Sequence, residues 1–317
     1  MNAWPQDAGR TGLVVPVITP LDAAERIDEP AFRAVIRRCL EAGADGVFAG
    51  GSAGMGPLLP DDQWQRAMEI ARDEVQADRM LQGGVIATST ARAVHHVRVL
   101  ERLGIESMVV TSPFYLPLSH DDEYLAYFGA CREAADIRMV VYNIPSFTGG
   151  NIPVGVIERM GREGWIRLIK ESSGDRTYFA AVLEACSEVG VGVMQGYEPD
   201  IAWGLSIGAA GIVPVCANYD PQTFVAAISA ARRKDAQRLE QAQQRASLIR
   251  QELGVDRPQW IAGIMYAVSI LGIGSGKPIH PLAELSPEVR QRVKAFCVRD
   301  AAVRDVLLDE RGSAEES

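Results

Sequence analysis

Apolar segments that alternate with amphipathic helical stretches predict an α/β fold for this chain of 317 residues, a TIM (β/α)8 barrel with a C-terminal helical appendage. The alternation repeats about eight times over about 230 residues, which is the size of one such barrel. The strands come at even spacing, and the residues after about position 235 show only helical patterns. These observations predict a barrel domain at 1–235 and a helical region at 236–317.

Each strand is predicted from a short apolar run that ends in turn residues. These runs lie at 12–19, 45–49, 80–86, 107–111, 138–142, 165–170, 192–195 and 211–213. Helical spacing of apolar residues predicts the intervening helices at 30–42, 61–76, 91–103, 122–135, 154–160, 176–188, 199–207 and 221–233. A doubly wound sheet is disfavoured, since no strand ends in a G-x-G-x-x-G turn and composition does not change between the two halves.

The later helical patterns lie at 234–253, 260–271 and 286–296, and they predict helices that pack on the barrel. The stretch 260–276 is apolar, but it is short and interrupted by glycine, so a buried helix is expected rather than a membrane span. The polar tail 310–317 is expected to be disordered.

Composition narrows the function classes. The chain is 47% hydrophobic and 23% charged with a net charge of −9, and it has no basic stripe, so nucleic-acid binding is not expected. Its five cysteines form no C-x-x-C pair, and the N-terminus lacks a signal-peptide pattern, which together predict a cytoplasmic protein. The histidines have no metal-ligand spacing, so a metal site is not expected. A membrane partner is not expected either, because the apolar stretch 260–276 is short and interrupted by glycine.

Two consecutive strands end in titratable side chains. Tyr142 ends the strand 138–142, and Lys170 ends the strand 165–170. In a parallel barrel the carboxyl ends of the strands form the catalytic face, so both side chains are predicted there. A lysine with an adjacent phenol can carry Schiff-base chemistry. Taken singly, Lys170 could instead pair with Glu171, and Tyr142 could be a half-buried tyrosine with a satisfied hydroxyl.

A glycine-rich segment, GGSAGMG at 50–56, follows the second strand. Its consecutive N–H groups could bind an anion, and the Ser52 hydroxyl could bind a carboxylate or relay a proton. The alternatives are a tight loop that needs glycine dihedrals, or a phosphate site that lacks the Lys-Ser/Thr of a P-loop.

Four ordered motifs together resemble the N-acetylneuraminate lyase / dihydrodipicolinate synthase family of class I, pyruvate-dependent Schiff-base lyases. They are GSAG at 51–54, PFY at 113–115, YNIPSFTG at 142–149 and IKESSGD at 169–175. The resemblance covers essentially the whole chain. It implies that Lys170 forms an imine with a 2-keto acid and that Tyr142 is the general acid or base, with no cofactor.

The resemblance also implies that Ser52 links Tyr142 to Tyr115, and that Tyr115 reaches in from a neighbouring subunit. The expected assembly is therefore a homodimer or homotetramer. The amides of Ser52 and Ala53 would hold the substrate carboxylate, and the Val213 carbonyl would line the pyruvate pocket.

Departures from the family pattern bear on the substrate. Phe147 stands where dihydrodipicolinate synthases have an arginine, which disfavours that activity. Gly196 and Glu198 lie at a sugar-binding position of sialate lyases, and Ser172 matches a sugar-contacting hydroxyl. Pro214 replaces a serine that sialate lyases need.

The predicted reaction is reversible aldol cleavage of a 2-keto-3-deoxy sugar acid or related 2-keto acid to pyruvate and an aldehyde. The alternatives are a Schiff-base dehydratase of such an acid, a dihydrodipicolinate synthase, and a non-catalytic barrel that binds keto acids. A phosphosugar isomerase is disfavoured because 213–218 has no glycine-rich phosphate loop.

Overall fold

The computed structural model describes residues 12–315, with side chains up to residue 301. Eight parallel strands form a closed barrel in the order β1 to β8. The strands are β1 Gly12–Pro16, β2 Gly46–Ala49, β3 Met80–Val85, β4 Ser107–Thr111, β5 Arg138–Asn143, β6 Ile166–Glu171, β7 Gly192–Gln195 and β8 Gly211–Ile212. The predicted TIM barrel is therefore confirmed.

Helices cover the outside of the barrel. Those of the barrel units are α1 Glu29–Glu41, α2 Asp61–Glu74, α3 Thr90–Arg102, α4 Asp121–Glu133, α5 Pro145–Thr148, α6 Val154–Arg162, α7 Arg176–Glu188, α8 Ile201–Ser206 and α9 Pro221–Arg232. The C-terminal helices are α10 Ala236–Glu252, α11 Trp260–Ile270 and α12 Pro287–Glu315. None of the helices in the described range is long and apolar enough to cross a membrane.

Local differences from the sequence-based boundaries have local causes. The predicted helix 199–207 begins as a 3-10 turn at Glu198–Asp200, and its α-helical part is α8. Pro199 lies in this first turn, where the missing N–H of a proline costs no helical hydrogen bond. The short helix α5 was not predicted, since four residues are too few to show a helical period. Helix α12 continues to Glu315 and so includes most of the tail expected to be disordered, while residues 316–317 lie outside the described part.

The strand ends that carry the site lie above an apolar plug inside the barrel. The buried side chains of this plug are Val14, Phe48, Val109, Val140, Leu168, Met194 and Val213. Tyr142 belongs to the same cluster. The plug excludes water from below, so a group at the upper ends of β5 and β6 is solvated only from the mouth of the barrel.

Capping fixes the short connection after β6. The carboxylate of Asp175 accepts hydrogen bonds from the N–H groups of Thr177 (2.8 Å) and Tyr178 (3.1 Å), which start α7. This N-cap ends the loop only a few residues after Lys170, and it holds the Ser172–Gly174 turn at the rim of the barrel.

Buried ion pairs attach the C-terminal helices to the barrel. Arg245 of α10 donates to Asp220, which precedes α9, and to Asp300 of α12. Tyr219 also donates to Asp300 at 2.9 Å. This network fixes α10 against the barrel, and the same helix reaches the mouth of the barrel at Arg250.

Candidate active site

Tyr142 and Lys170 are direct neighbours in the sheet, since they pair in the register of β5 and β6. The Lys170 Nζ atom lies 4.0 Å from the ring centroid of Tyr142 and 5.2 Å from that of Phe48. Only 6% of Lys170 is exposed. The amine therefore lies inside the mouth of the barrel, beside the phenol.

Glu171 does not pair with this amine. Its Oε1 atom accepts hydrogen bonds from Asn143 Nδ2 at 3.0 Å and from the Ser173 N–H at 2.7 Å. Successive residues of a strand point to opposite faces, so Glu171 lies on the helix side and Lys170 on the barrel side. Among the described side chains, no carboxylate lies within 4.0 Å of Lys170 Nζ. The salt-bridge interpretation of Lys170 is therefore not supported.

Burial lowers the pKa of the Lys170 ammonium to about 7, and the negative charge of Glu198 opposes this shift in part. Removing a cation from water disfavours the charged form unless a partner replaces the lost hydration. About half of the Lys170 side chains are thus uncharged at neutral pH, whereas an ordinary lysine is almost fully protonated. An uncharged amine is the nucleophile that attacks a ketone.

The Tyr142 phenol is also buried, and its burial raises its pKa to about 12. The neighbouring hydroxyls of Ser172 and Ser52 act in the opposite direction on this pKa, because a nearby hydroxyl favours the phenolate. A phenol flanked by two hydroxyls can pass a proton between a bound substrate and its surroundings.

Gly196 leaves the space that Lys170 and Ser172 occupy. A Cβ atom on Gly196 would overlap the Ser172 hydroxyl and lie 3.0 Å from Lys170 Cε. Any larger residue would displace the reactive side chain or the hydroxyl. The absence of a side chain at Gly196 therefore leaves the room that Lys170 and Ser172 need.

The segment 50–56 forms a tight turn, and this supports the tight-loop interpretation. Gly50 has φ of +67° and Met55 has φ of +55°. A Cβ atom on Gly56 would overlap the Gly50 carbonyl. Within the described residues, the N–H groups of Ser52 and Ala53 donate to no other group, so both are available to an anion.

One cavity of 180 Å³ brings together most of the residues predicted from sequence. Its lining includes Ser52, Ala53, Tyr142, Phe147, Lys170, Ser172, Gly196, Glu198 and Val213. Tyr115 is not among them. It is 86% exposed with φ of +81°, which is a costly backbone conformation for an aromatic residue.

Glu198 lines this cavity, but protein groups already bind both of its oxygens. Oε1 accepts from the Cys216 N–H at 2.7 Å, while Oε2 accepts from Cys216 Sγ at 3.1 Å and Arg250 Nη1 at 3.0 Å. Arg250 also pairs with Asp256 at 2.7 Å. The predicted contact between Glu198 and substrate hydroxyls would therefore compete with three hydrogen bonds.

Sequence analysis missed several lining residues, among them Arg250 of α10 and Trp260 of α11. Both belong to the helical region that was expected only to pack on the barrel. The local sequence around these two residues does not indicate this role, because it is the packing of α10 and α11 that brings them to the barrel mouth. In the described part of the chain, no three His, Cys, Asp or Glu side chains cluster as metal ligands.

A model described as the dihydrodipicolinate synthetase family matches residues 10–299. The chain belongs to this family. The predictions of the family and of an enzyme of the lyase class are therefore confirmed.

Relatives include an uncharacterized DapA-like lyase of Halobacterium salinarum, which is 29% identical over 90% of this chain and 93% of the relative. A 4-hydroxy-tetrahydrodipicolinate synthase of Acidobacterium capsulatum is 30% identical over 71% of this chain and 74% of that protein.

Solved structures of the dihydrodipicolinate synthetase family share the fold. YagE from E. coli, in complex with pyruvate, superposes with a TM-score of 0.86 at 22% identity and covers 91% of this chain and 98% of its own. A variant of Sulfolobus solfataricus 2-keto-3-deoxygluconate aldolase gives a TM-score of 0.82 at 20% identity, with 94% and 98% coverage.

Proposed function

We propose that this protein is a class I lyase that cleaves a 4-hydroxy-2-keto acid to pyruvate and an aldehyde, and that it also runs this aldol reaction in reverse. The 2-keto-3-deoxy sugar acids predicted from the sequence belong to this class of substrates. The observation that carries the proposal is a buried lysine amine 4.0 Å from the ring centroid of a buried phenol, in surroundings that lower the pKa of the amine.

In the proposed reaction the Lys170 amine attacks the 2-keto carbon, and the Tyr142 phenol gives its proton to the departing hydroxyl, so that loss of water leaves a protonated imine and a Tyr142 phenolate. The Tyr142 phenolate accepts the proton of the C4 hydroxyl. The C3–C4 bond then breaks and the aldehyde leaves. The electron pair of that bond moves into the protonated imine, which becomes an enamine. A proton returns to C3 from Tyr142, and water hydrolyses the imine to release pyruvate and the free amine.

The substrate carboxylate has one well-suited place in this site. The N–H groups of Ser52 and Ala53 point to no internal acceptor and line the same cavity as Lys170. Backbone donors in a glycine-rich turn bind an anion without the side-chain entropy cost of a long cationic residue.

A second copy of the chain is proposed to complete the site with Tyr115. The exposure and the left-handed backbone of Tyr115, together with the 74% exposure of Leu116, support this role. An exposed aromatic residue in a strained conformation is typical of a segment that makes its contacts elsewhere. We propose a homodimer or homotetramer on this basis.

We also propose that the protein acts in the cytoplasm. All five cysteines lie in the described residues, are buried and form no disulfide. Such thiols are typical of proteins that are kept in a reducing compartment.

The test is borohydride reduction in the presence of pyruvate, followed by intact mass measurement. The wild-type protein should gain the mass of one reduced pyruvate adduct per chain, and peptide mapping should find it on Lys170. A Lys170→Ala variant is the control and should gain nothing. Absence of an adduct on the wild type would disprove the proposal.

A dehydratase remains the second candidate, because it begins with the same imine. The two reactions are separated by their products. Coupling to lactate dehydrogenase detects pyruvate only if the C3–C4 bond is cleaved.

A further inference from the structure

A second, larger cavity of 490 Å³ adjoins the cavity of Lys170. We call it the outer cavity, and the first one the inner cavity. The two share four lining residues, Ser52, Ile144, Phe147 and Trp260. A ligand that is joined to Lys170 at its C2 atom therefore has the outer cavity beside it, at the wall that Phe147 and Trp260 help to form.

The wall of the outer cavity is apolar and rich in aromatic residues. Its large side chains are Met55, Leu58, Phe114, Ile144, Phe147 and Trp260. No Asp, Glu, Lys, Arg or His side chain lines it in the described part of the chain. Such a wall favours a ligand that gains free energy from leaving water, at about 25 cal/mol per Å² of apolar surface.

Polar groups are a minority in that wall: the hydroxyls of Ser52, Thr111, Ser146 and Thr148, and the Gln259 amide. The Thr111 hydroxyl is buried without a hydrogen-bond partner among the described residues and could take one hydrogen bond from a ligand. The Thr148 hydroxyl already donates to the Ile144 carbonyl at 3.0 Å. A polyol chain placed here would exchange its hydrogen bonds with water for contacts with carbon, and each unmatched hydroxyl would cost free energy.

The charged groups of the inner cavity do not change this conclusion. Glu198 and Arg250 bind each other, Glu198 also binds Cys216, and Arg250 also binds Asp256. A carboxylate or a pair of hydroxyls from the aldehyde half would have to compete with these existing contacts. Phe147, which is 51% exposed, adds a further apolar surface at the junction of the cavities.

We infer that the aldehyde half of the substrate is apolar and carries an aromatic ring, which the outer cavity holds while Lys170 binds the keto acid half. This inference rests on the proposed lyase function and names its substrate class. Cleavage of a 4-aryl-4-hydroxy-2-keto acid breaks the C3–C4 bond and releases an aromatic aldehyde. Pyruvate then leaves by hydrolysis of the Lys170 imine, so no further reactant is needed. The inferred substrate differs from the sugar acid predicted from the sequence.

A second copy does not remove the need for an apolar ligand. The proposed partner would bring a Tyr115 ring next to Ser52, which lines both cavities. That ring would narrow the outer cavity and add another aromatic surface to its wall.

The experiment measures condensation of pyruvate with benzaldehyde and with D-glyceraldehyde on the wild-type protein. We expect kcat/KM for benzaldehyde to be at least tenfold higher. A Phe147→Arg variant should lower kcat/KM for benzaldehyde at least tenfold without loss of the borohydride-trapped pyruvate adduct. Ile207→Arg is the matched control, because Ile207 is 40% exposed and lines neither cavity. It should leave both aldehydes unaffected.

The outcomes separate the two proposals. If the wild type gives no trapped adduct, the lyase proposal is wrong. If the adduct forms but glyceraldehyde reacts as well or better, or neither aldehyde reacts, the apolar-substrate inference is wrong and the lyase proposal stands. If Phe147→Arg changes the sedimentation of the protein and leaves aldehyde preference intact, the outer cavity is a contact between copies, and the inference is also overturned.

Discussion

Replacement of Lys170 by Met should stabilise the folded protein while it abolishes imine formation. The pKa of Lys170 falls from 10.5 to about 7 on folding because the ammonium group is buried. The unfolded chain therefore binds a proton here that the folded chain gives up above pH 7. At pH 7.5 this difference costs the wild type about 4 kcal/mol of its free energy of unfolding.

The free-energy cost of burying the Lys170 ammonium depends on pH. The penalty is fully present below about pH 7, and it disappears as the pH rises toward 10.5, where the unfolded side chain also loses its proton. At pH 9.5 it should be only about 1 kcal/mol. The gain from Lys170→Met should thus shrink by about 2 to 3 kcal/mol between pH 7.5 and 9.5.

Urea titration of both proteins at the two pH values measures this change. Any gain from the apolar contacts of methionine is independent of pH, so the pH-dependent part of the difference reports on the ammonium group. Lys294→Met, on the exposed side of α12, is the matched control and should show no such change. A gain from Lys170→Met that is equal at both pH values, or no gain, would refute the claim that burial deprotonates Lys170.

Three other changes test the site. The initial rate of pyruvate trapping should rise about 20-fold from pH 5.5 to 7.5 and then level off, because only the uncharged Lys170 amine reacts; a flat profile would contradict this. Tyr142→Phe should lower kcat at least about 100-fold while the pyruvate adduct still forms to completion, as expected when a proton-transfer group is lost; unchanged turnover would assign that proton to another group. Gly196→Ala should raise KM for pyruvate and slow trapping, because its methyl group would overlap the Ser172 hydroxyl; normal kinetics would show that the rim of the barrel moves freely.

The sequence was informative about the barrel because strand and helix periods are local properties. The apolar runs that end in Tyr142 and Lys170 fixed which residues face the catalytic end, and the register of β5 and β6 then places them side by side. Helix α8 begins at Ile201, two residues after the start of the predicted helix 199–207, because residues 198–200 form a 3-10 turn. The domain boundary at residue 235 and the roles of the individual site residues stay predictions.

The residues themselves determined the fold class, the family and the lysine that can carry the chemistry, because these depend on patterns that lie close together in the chain. Only the tertiary structure decided that Glu198 is bound by Cys216 and Arg250, and that Trp260 joins Phe147 over the site. Those contacts join segments about 18 to 113 residues apart. Hydrophobicity periods carry no information about which distant side chains meet, so the shape and polarity of the space beyond Lys170 appear only when the helices close over the barrel.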